Sequence, residues 1–192
     1  MRIIAGEMRG RTLYAPAGMD TRPTQDKVRE SIFNILRFDV PDARVLDLFA
    51  GSGALALEAV SRGAQSAVAV DCSRAAIECI RRNVQAARAA DRVRILPMDY
   101  RRAIDQLAAR GERFDLVFLD PPYRMVNTGE MAVQLYEKGL LEPECLVVIE
   151  HARDVAPTLL PPFEAADERT YGQTKVLFAR IASGAAQETE KA

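Results

Sequence analysis

The chain has 192 residues, 48% of them hydrophobic and 28% charged, with a formal net charge of −1. That length suits one globular domain with an ample core, and no apolar run approaches the ~18 residues of a membrane-spanning helix. A near-neutral balance excludes a uniformly basic nucleic-acid binder, and the short opening Met1-Arg2-Ile3-Ile4-Ala5-Gly6 lacks the apolar stretch of a secretory signal, so a soluble cytoplasmic protein is expected. Charge is nonetheless uneven. Residues 81–113 hold nine arginines against four acids, while residues 137–170 hold eight acids against three basic residues. Cys72, Cys79 and Cys145 are odd in number and have no Cys-x-x-Cys spacing, so buried reduced thiols are expected rather than disulfides or a thiolate metal cluster.

In chain order, Arg2–Tyr14 carries two short apolar runs split by Gly6 and Gly10, which predicts a small basic hairpin. Thr24 is placed to cap a helix whose apolar face is Val28, Ile32, Ile35 and Leu36. From residue 44 short apolar runs alternate with helical stretches, the pattern of βαβ units feeding a mostly parallel sheet. Strands are predicted near 44–49, 67–71, 92–97, 114–119 and 145–150, and helices over 54–62, 73–88, 100–110 and 129–138. Gly63, Gly111 and Gly139 fall where helix C-termini favour positive φ. Two more strands, 163–170 and 174–181, meet through Tyr171-Gly172-Gln173, a turn short enough to force antiparallel pairing. The expected architecture is one α/β domain over 1–182, with a basic extension over 1–40 and a catalytic core over 41–182. Its seven-stranded, mostly parallel, Rossmann-like sheet ends in an antiparallel hairpin and carries helices on both faces. Residues 183–192 are small and polar, and a disordered tail is expected.

Val45–Ala54 reads as a buried strand, a glycine turn and a helix start, which offers free backbone N–H groups and a positive helix end to a ligand. Phe49, Ala50, Gly51, Ser52 and Gly53 form that turn. Asp71, with Cys72 beside it, ends the next strand twenty residues after Gly51, where a carboxylate can accept from ribose hydroxyls. Any adenosine cofactor fits this much. A dinucleotide fingerprint would continue to a third glycine, but Ala56 stands there. Asp47 inside the strand end favours a cationic ligand such as S-adenosylmethionine over a pyrophosphate. Asp99, followed by Tyr100, can accept from an adenine amino group, and equally reads as a plain helix cap.

The fourth strand ends in Asp120-Pro121-Pro122-Tyr123. An exocyclic amino group is a poor nucleophile, because its lone pair is delocalised into the ring. Asp120 and the Pro121 carbonyl can accept its two N–H bonds and favour the positive charge that develops on nitrogen. Tyr123 is expected to stack on the base, which must leave its helix to arrive there. A simple proline-stiffened turn is the bland alternative.

With these motifs the chain resembles the bacterial small-subunit ribosomal RNA guanine-N2-methyltransferases (RsmD-type), within the class I S-adenosylmethionine-dependent methyltransferases. The resemblance spans nearly the whole chain. Its blocks are Arg2-Ile-Ile-Ala-Gly6 with Arg9-Gly-Arg11, Arg22-Pro-Thr24 with Lys27–Asn34, Asp47–Leu55 through Glu58-Ala59 to Ser61–Ala64, and Asp120–Tyr123. The N-terminal blocks discriminate, since the other motifs are shared with adenine and protein-glutamine methyltransferases. Ala56 and Val70 depart from the family pattern, and Val70 leaves ribose recognition to Asp71 and Cys72. The resemblance implies methyl transfer to guanine N2 in 16S rRNA within a small ribosomal subunit or assembly intermediate, with no metal and no membrane. Arg9, Arg11, Arg22, Lys27 and Arg29 are candidate phosphate contacts, although Lys27 and Arg29 read equally as a solvated helix face. Arg22 and Thr24 alternatively line the cofactor's methionine end. His151, the single histidine, is expected as a strand-end surface residue rather than a metal ligand. The rival readings are a methyltransferase acting on DNA adenine or a protein amide, a nicotinamide-dependent oxidoreductase, and a non-catalytic ribosome-binding module.

Overall fold

The structure, a computed structural model, describes residues 1–16, 23–122, 127–154 and 157–183, with the side chains of residues 23–25 excepted. Among the described residues it has five α-helices and seven strands in a mixed, mostly parallel sheet. The chain divides into two compact units, residues 1–103 and 104–192.

The first unit carries three parallel strands in the order β3-β2-β1: β1 (Arg44–Asp47), β2 (Ser66–Asp71) and β3 (Val93–Pro97). In β2 the run Ala67–Val70 is buried residue after residue, as expected of a strand covered on both faces. Helix α1 (Pro23–Ile35) buries Val28 and Ile32 and runs into a 3-10 turn, Leu36–Phe38, that buries Leu36. It starts at Pro23, so Thr24 is in its first turn and is not the cap: proline's fixed φ and missing N–H suit the first helical position. Helix α2 (Ala54–Ser61) buries every residue but Leu55, including the charged Glu58. Helix α3 (Arg74–Ala87) is capped by Ser73, whose side chain accepts from Ala76 N at 3.4 Å, and buries Ile77, Ile80, Val84 and Ala87 on one face. Helix α4 (Tyr100–Ala109) follows β3.

The second unit orders its strands β4-β5-β7-β6, with β4 (Phe114–Leu119) parallel to β5 (Leu141–Ala152). Strands β6 (Phe163–Tyr171) and β7 (Thr174–Ile181) form the expected hairpin; Tyr171 pairs with Thr174 and Gly172 takes φ 61°. Helix α5 (Thr128–Glu137) precedes β5, which starts four residues before its predicted onset because Leu141 pairs with Phe114. Gly63, Gly111 and Gly139 have φ of 102°, 64° and 69° after their helices.

The N-terminus forms the small hairpin expected from its two apolar runs. An antiparallel bridge, Arg2 to Thr12, is flanked by bonds from Ile3 N to the Arg11 carbonyl and from Leu13 N to the Met1 carbonyl, both at 3.0 Å, and Ile3, Met8 and Leu13 are buried. Its backbone is tied to α2. Ile4 N and Ala5 N donate to Glu58 at 2.8 and 3.0 Å, Glu7 N to the Ser61 carbonyl at 2.8 Å, and Met8 N to the Ser61 hydroxyl at 3.0 Å. Gly6 is required at the crossing: at φ +83° a Cβ would stand 1.7 Å from the Ser61 oxygen. This segment is a strap held on the core.

Candidate functional site

In the first unit the turn between β1 and α2 holds the predicted cofactor residues. Gly51 and Gly53 have φ of 55° and 77°, and Gly53 caps α2 without a side-chain hydrogen bond to the helix's first N–H groups. A Cβ on Gly53 would meet Ile80 Cγ2 at 3.3 Å. Asp71 arrives from the end of β2 and accepts from Gly51 N at 2.9 Å and Ser73 N at 2.8 Å, so its carboxylate also shapes the turn. Asp47 is wholly buried at the end of β1, and Ala50 is buried on the turn. Phe49 lies 5.3 Å from the ring of Tyr100, which is buried. Asp99 accepts from Arg101 N at 2.9 Å immediately before α4, the capping geometry. Cys72 is exposed, correcting the expectation of a buried thiol, while Cys79 and Cys145 are buried, and burial pushes both of those thiols up.

Sequence reasoning missed Asn83, buried on the inner face of α3. Its side-chain amide accepts from Tyr14 N at 2.8 Å and donates to the carbonyls of Tyr14 and Ser52, both at 2.9 Å. One side chain therefore joins the N-terminal strap to the glycine turn. The signal was available: an asparagine sits among Ile80, Val84 and Ala87 at helical spacing, where only a residue with internal partners is stable.

In the second unit Asp120, Pro121 and Pro122 follow β4; Pro121 is buried, and Asp120 and Pro122 are exposed. Protein mass around Asp120 desolvates its carboxylate and raises it to about 6, an effect tempered by the open side of the residue. Tyr123 lies outside the described residues, as do Arg22 and the side chain of Thr24. Glu150, not foreseen from sequence, lies one residue beyond the Leu119–Ile149 pair, beside Asp120. Burial, and then the Asp120 charge, raises it to about 8. Near neutral pH the two carboxyls thus divide their roles: Asp120 is mainly ionised and Glu150 mainly protonated. Because the folded protein holds the Glu150 proton more tightly than the unfolded chain, the stability this provides is complete below the ordinary glutamate range and is lost as pH rises through about 8. Glu150→Gln cannot ionise. Its melting temperature should gain on the parent by about 3 °C or more between pH 5 and pH 9, read by thermal melts at both.

Of the candidate RNA contacts, Arg9 and Lys27 are exposed. Arg11 donates to the carbonyls of Ala86 and Ala87 at 3.2 and 2.5 Å, across the end of α3. Arg29 faces inward, 5% exposed, donating to the Arg2 carbonyl at 2.6 Å and to Asp26 at 3.1 Å; it is an internal tie, not a solvated cation. His151 is likewise buried rather than at the surface, with Nδ1 2.9 Å from the Ala152 oxygen and Nε2 3.9 Å from Glu168. Among the described residues no helix is long and apolar enough to cross a membrane.

Comparison with known proteins agrees with this geometry. Residues 1–180 match the family described as conserved hypothetical protein 95. The chain is 38% identical to the rRNA methyltransferase candidate YlbH of Bacillus subtilis (strain 168), over 92% of this chain and 96% of that protein. It is 37% identical to ribosomal RNA small subunit methyltransferase D of Escherichia coli (strain K12), over 96% of this chain and 92% of that protein. The solved structure of the methyltransferase candidate yhhF from Escherichia coli superposes with a TM-score of 0.81 at 35% identity, covering 95% of this chain and 98% of that one. The fold is the Rossmann-like class I methyltransferase fold expected from the strand and helix pattern.

Proposed function

Because the chain belongs to the conserved hypothetical protein 95 family, we propose that it is an S-adenosylmethionine-dependent enzyme that methylates the exocyclic N2 amino group of a guanine in small-subunit ribosomal RNA. The observation that carries the reading is Asp120-Pro121-Pro122 at the end of β4, in a chain whose other unit holds the open glycine turn before α2. The name of the Escherichia coli relative supplies the RNA class.

The residues of the first unit fit the cofactor. Two positive-φ glycines allow close approach of a ligand to the backbone, the uncapped start of α2 suits a carboxylate, and buried Asp47 suits a cationic amino or sulfonium group. Asp71 retains lone pairs for ribose hydroxyls beyond the two N–H bonds it accepts. Bound there, the cofactor supplies a methyl group made electrophilic by its sulfonium. Asp120 and the Pro121 carbonyl accept the two N–H bonds of the base amine and point its lone pair. The ionised carboxylate stabilises positive charge on that nitrogen and takes up the proton it must shed. Tyr123 stacks on the base, and Arg9 and Lys27 meet phosphate of a small subunit or an assembly intermediate.

Gly53→Val tests the cofactor half. Strain at φ 77° and the Ile80 contact should weaken S-adenosylmethionine binding by about tenfold in calorimetry, the equivalent of roughly 1–2 kcal/mol. Incubation with methyl-labelled S-adenosylmethionine and small subunits from cells lacking the enzyme tests the whole reading. Label should appear as N2-methylguanosine at one position. Label in adenine or protein instead would reassign the substrate.

A further inference from the structure

The outer face of α3 is strongly basic, and the reaction just described does not use it. Arg74 and Arg81 are seven residues apart and line one side of the helix about 10 Å apart, with Arg82 beside the second, and Arg88 follows as the C-cap with φ 55°. Arg74 is matched by Glu78 at 2.9 Å. Arg81, Arg82 and Arg88 are exposed, and among the described residues none of the three makes an ion pair. The Arg82 guanidinium lies over the ring of Tyr14, 3.2 Å from its centroid, and Tyr14 is 39% exposed as a residue. Tyr14 is fixed there through its main chain by Asn83, and Arg11 lies across the Ala86 and Ala87 carbonyls at the end of the helix.

We infer that this face, Arg81, Arg82 and Arg88 with Tyr14 laid on it, is a docking surface for the phosphate backbone of the RNA substrate. Three exposed, uncompensated guanidiniums on a chain of formal charge −1 make a local positive field, suited to a polyanion and costly to maintain otherwise. The Tyr14–Arg82 stack adds a flat, partly open aromatic surface of the kind that receives an unpaired base. Tyr14 is the one exposed large hydrophobic side chain on this face among the described residues; the other, Phe38, belongs to the turn after α1. The inference rests on the chain's being a ribosomal RNA methyltransferase.

The test measures binding of protein-free small-subunit ribosomal RNA to the full chain as a function of salt. The triple variant Arg81→Gln, Arg82→Gln, Arg88→Gln should lower the magnitude of the slope of log K against log salt by about two to three, and weaken binding by about 10-fold or more near 0.1 M salt. Its affinity for S-adenosylmethionine should be unchanged, which reports an intact fold. Arg110→Gln, Arg113→Gln, Arg153→Gln alters net charge equally from elsewhere and should leave the slope near the parent's. Tyr14→Ala should weaken binding by about 5-fold or more with little change of slope. A parent-like slope in the α3 triple overturns the inference while leaving the methyltransferase reading intact. Unchanged naked-RNA binding combined with reduced methylation of whole subunits overturns it in favour of an acidic protein partner. Failure of the unaltered chain to methylate or bind RNA sinks the underlying reading, and the surface with it.

Discussion

Replacing Asp120 with alanine should lower kcat by about 10²–10³, the usual cost of removing one preorganised partner of developing charge, with S-adenosylmethionine binding kept within a few-fold. The two readouts separate because Asp120 follows β4, whereas the glycines proposed to meet the cofactor belong to the turn between β1 and α2. Asp120→Asn keeps the shape but cannot hold negative charge against the reacting nitrogen, and should recover little of the loss. Single-turnover transfer to the RNA substrate and calorimetry of the cofactor provide the two measurements. Near-normal turnover in Asp120→Ala would remove this carboxylate from the chemistry.

The largest stability effect is expected at Glu58. This fully buried carboxylate accepts from Ile4 N, Ala5 N and Arg62 Nε, at 2.8, 3.0 and 2.8 Å, and faces Arg29 Nε at 3.8 Å. Glu58→Ala strands two backbone donors and two guanidiniums around an empty space, a change costing about 3–5 kcal/mol. For a chain of this length that corresponds to a fall in melting temperature of roughly 6–20 °C. Loss of the tie should also expose Arg2, Arg9 and Arg11 to trypsin earlier than the rest of the chain. Glu78→Ala, which removes an exposed pair with Arg74, should move the melt by about 1 °C or less. A Glu58→Ala melt indistinguishable from the parent's would show that the strap is not held through this carboxylate.

Much of the core was legible because each of its elements repeats a simple rule. Buried strands such as Ala67–Val70 read as apolar runs, α3 as a 3.6-residue stripe, and the helix ends as glycines of positive φ. The glycine turn was legible as a turn because its positive-φ positions favour glycine. What escaped were pairings across sequence. Glu58 looked like part of a motif, and nothing local indicates that it holds residues 4 and 5. The partnership of Asn83 with Tyr14 and Ser52 spans 69 and 31 positions. Glu150 gains its meaning from the register of β5 on β4, which a single strand's pattern does not contain. The N-terminal hairpin was legible from its apolar runs and glycines, but its ties to Ser61 and Glu58 were not.

The closing hairpin has a consequence for colloidal behaviour. Strand β6 comes last in the strand order, pairs with β7 alone, and so presents a free row of peptide groups to any passing chain. Its residues are mostly exposed, Glu164, Glu168 and Arg169 among them, and its pairing slips between Ala165 and Asp167. A crowded, charged and kinked border is a poor template for an incoming strand, so the sheet ends in an edge that resists fibrillar growth even when the protein is concentrated.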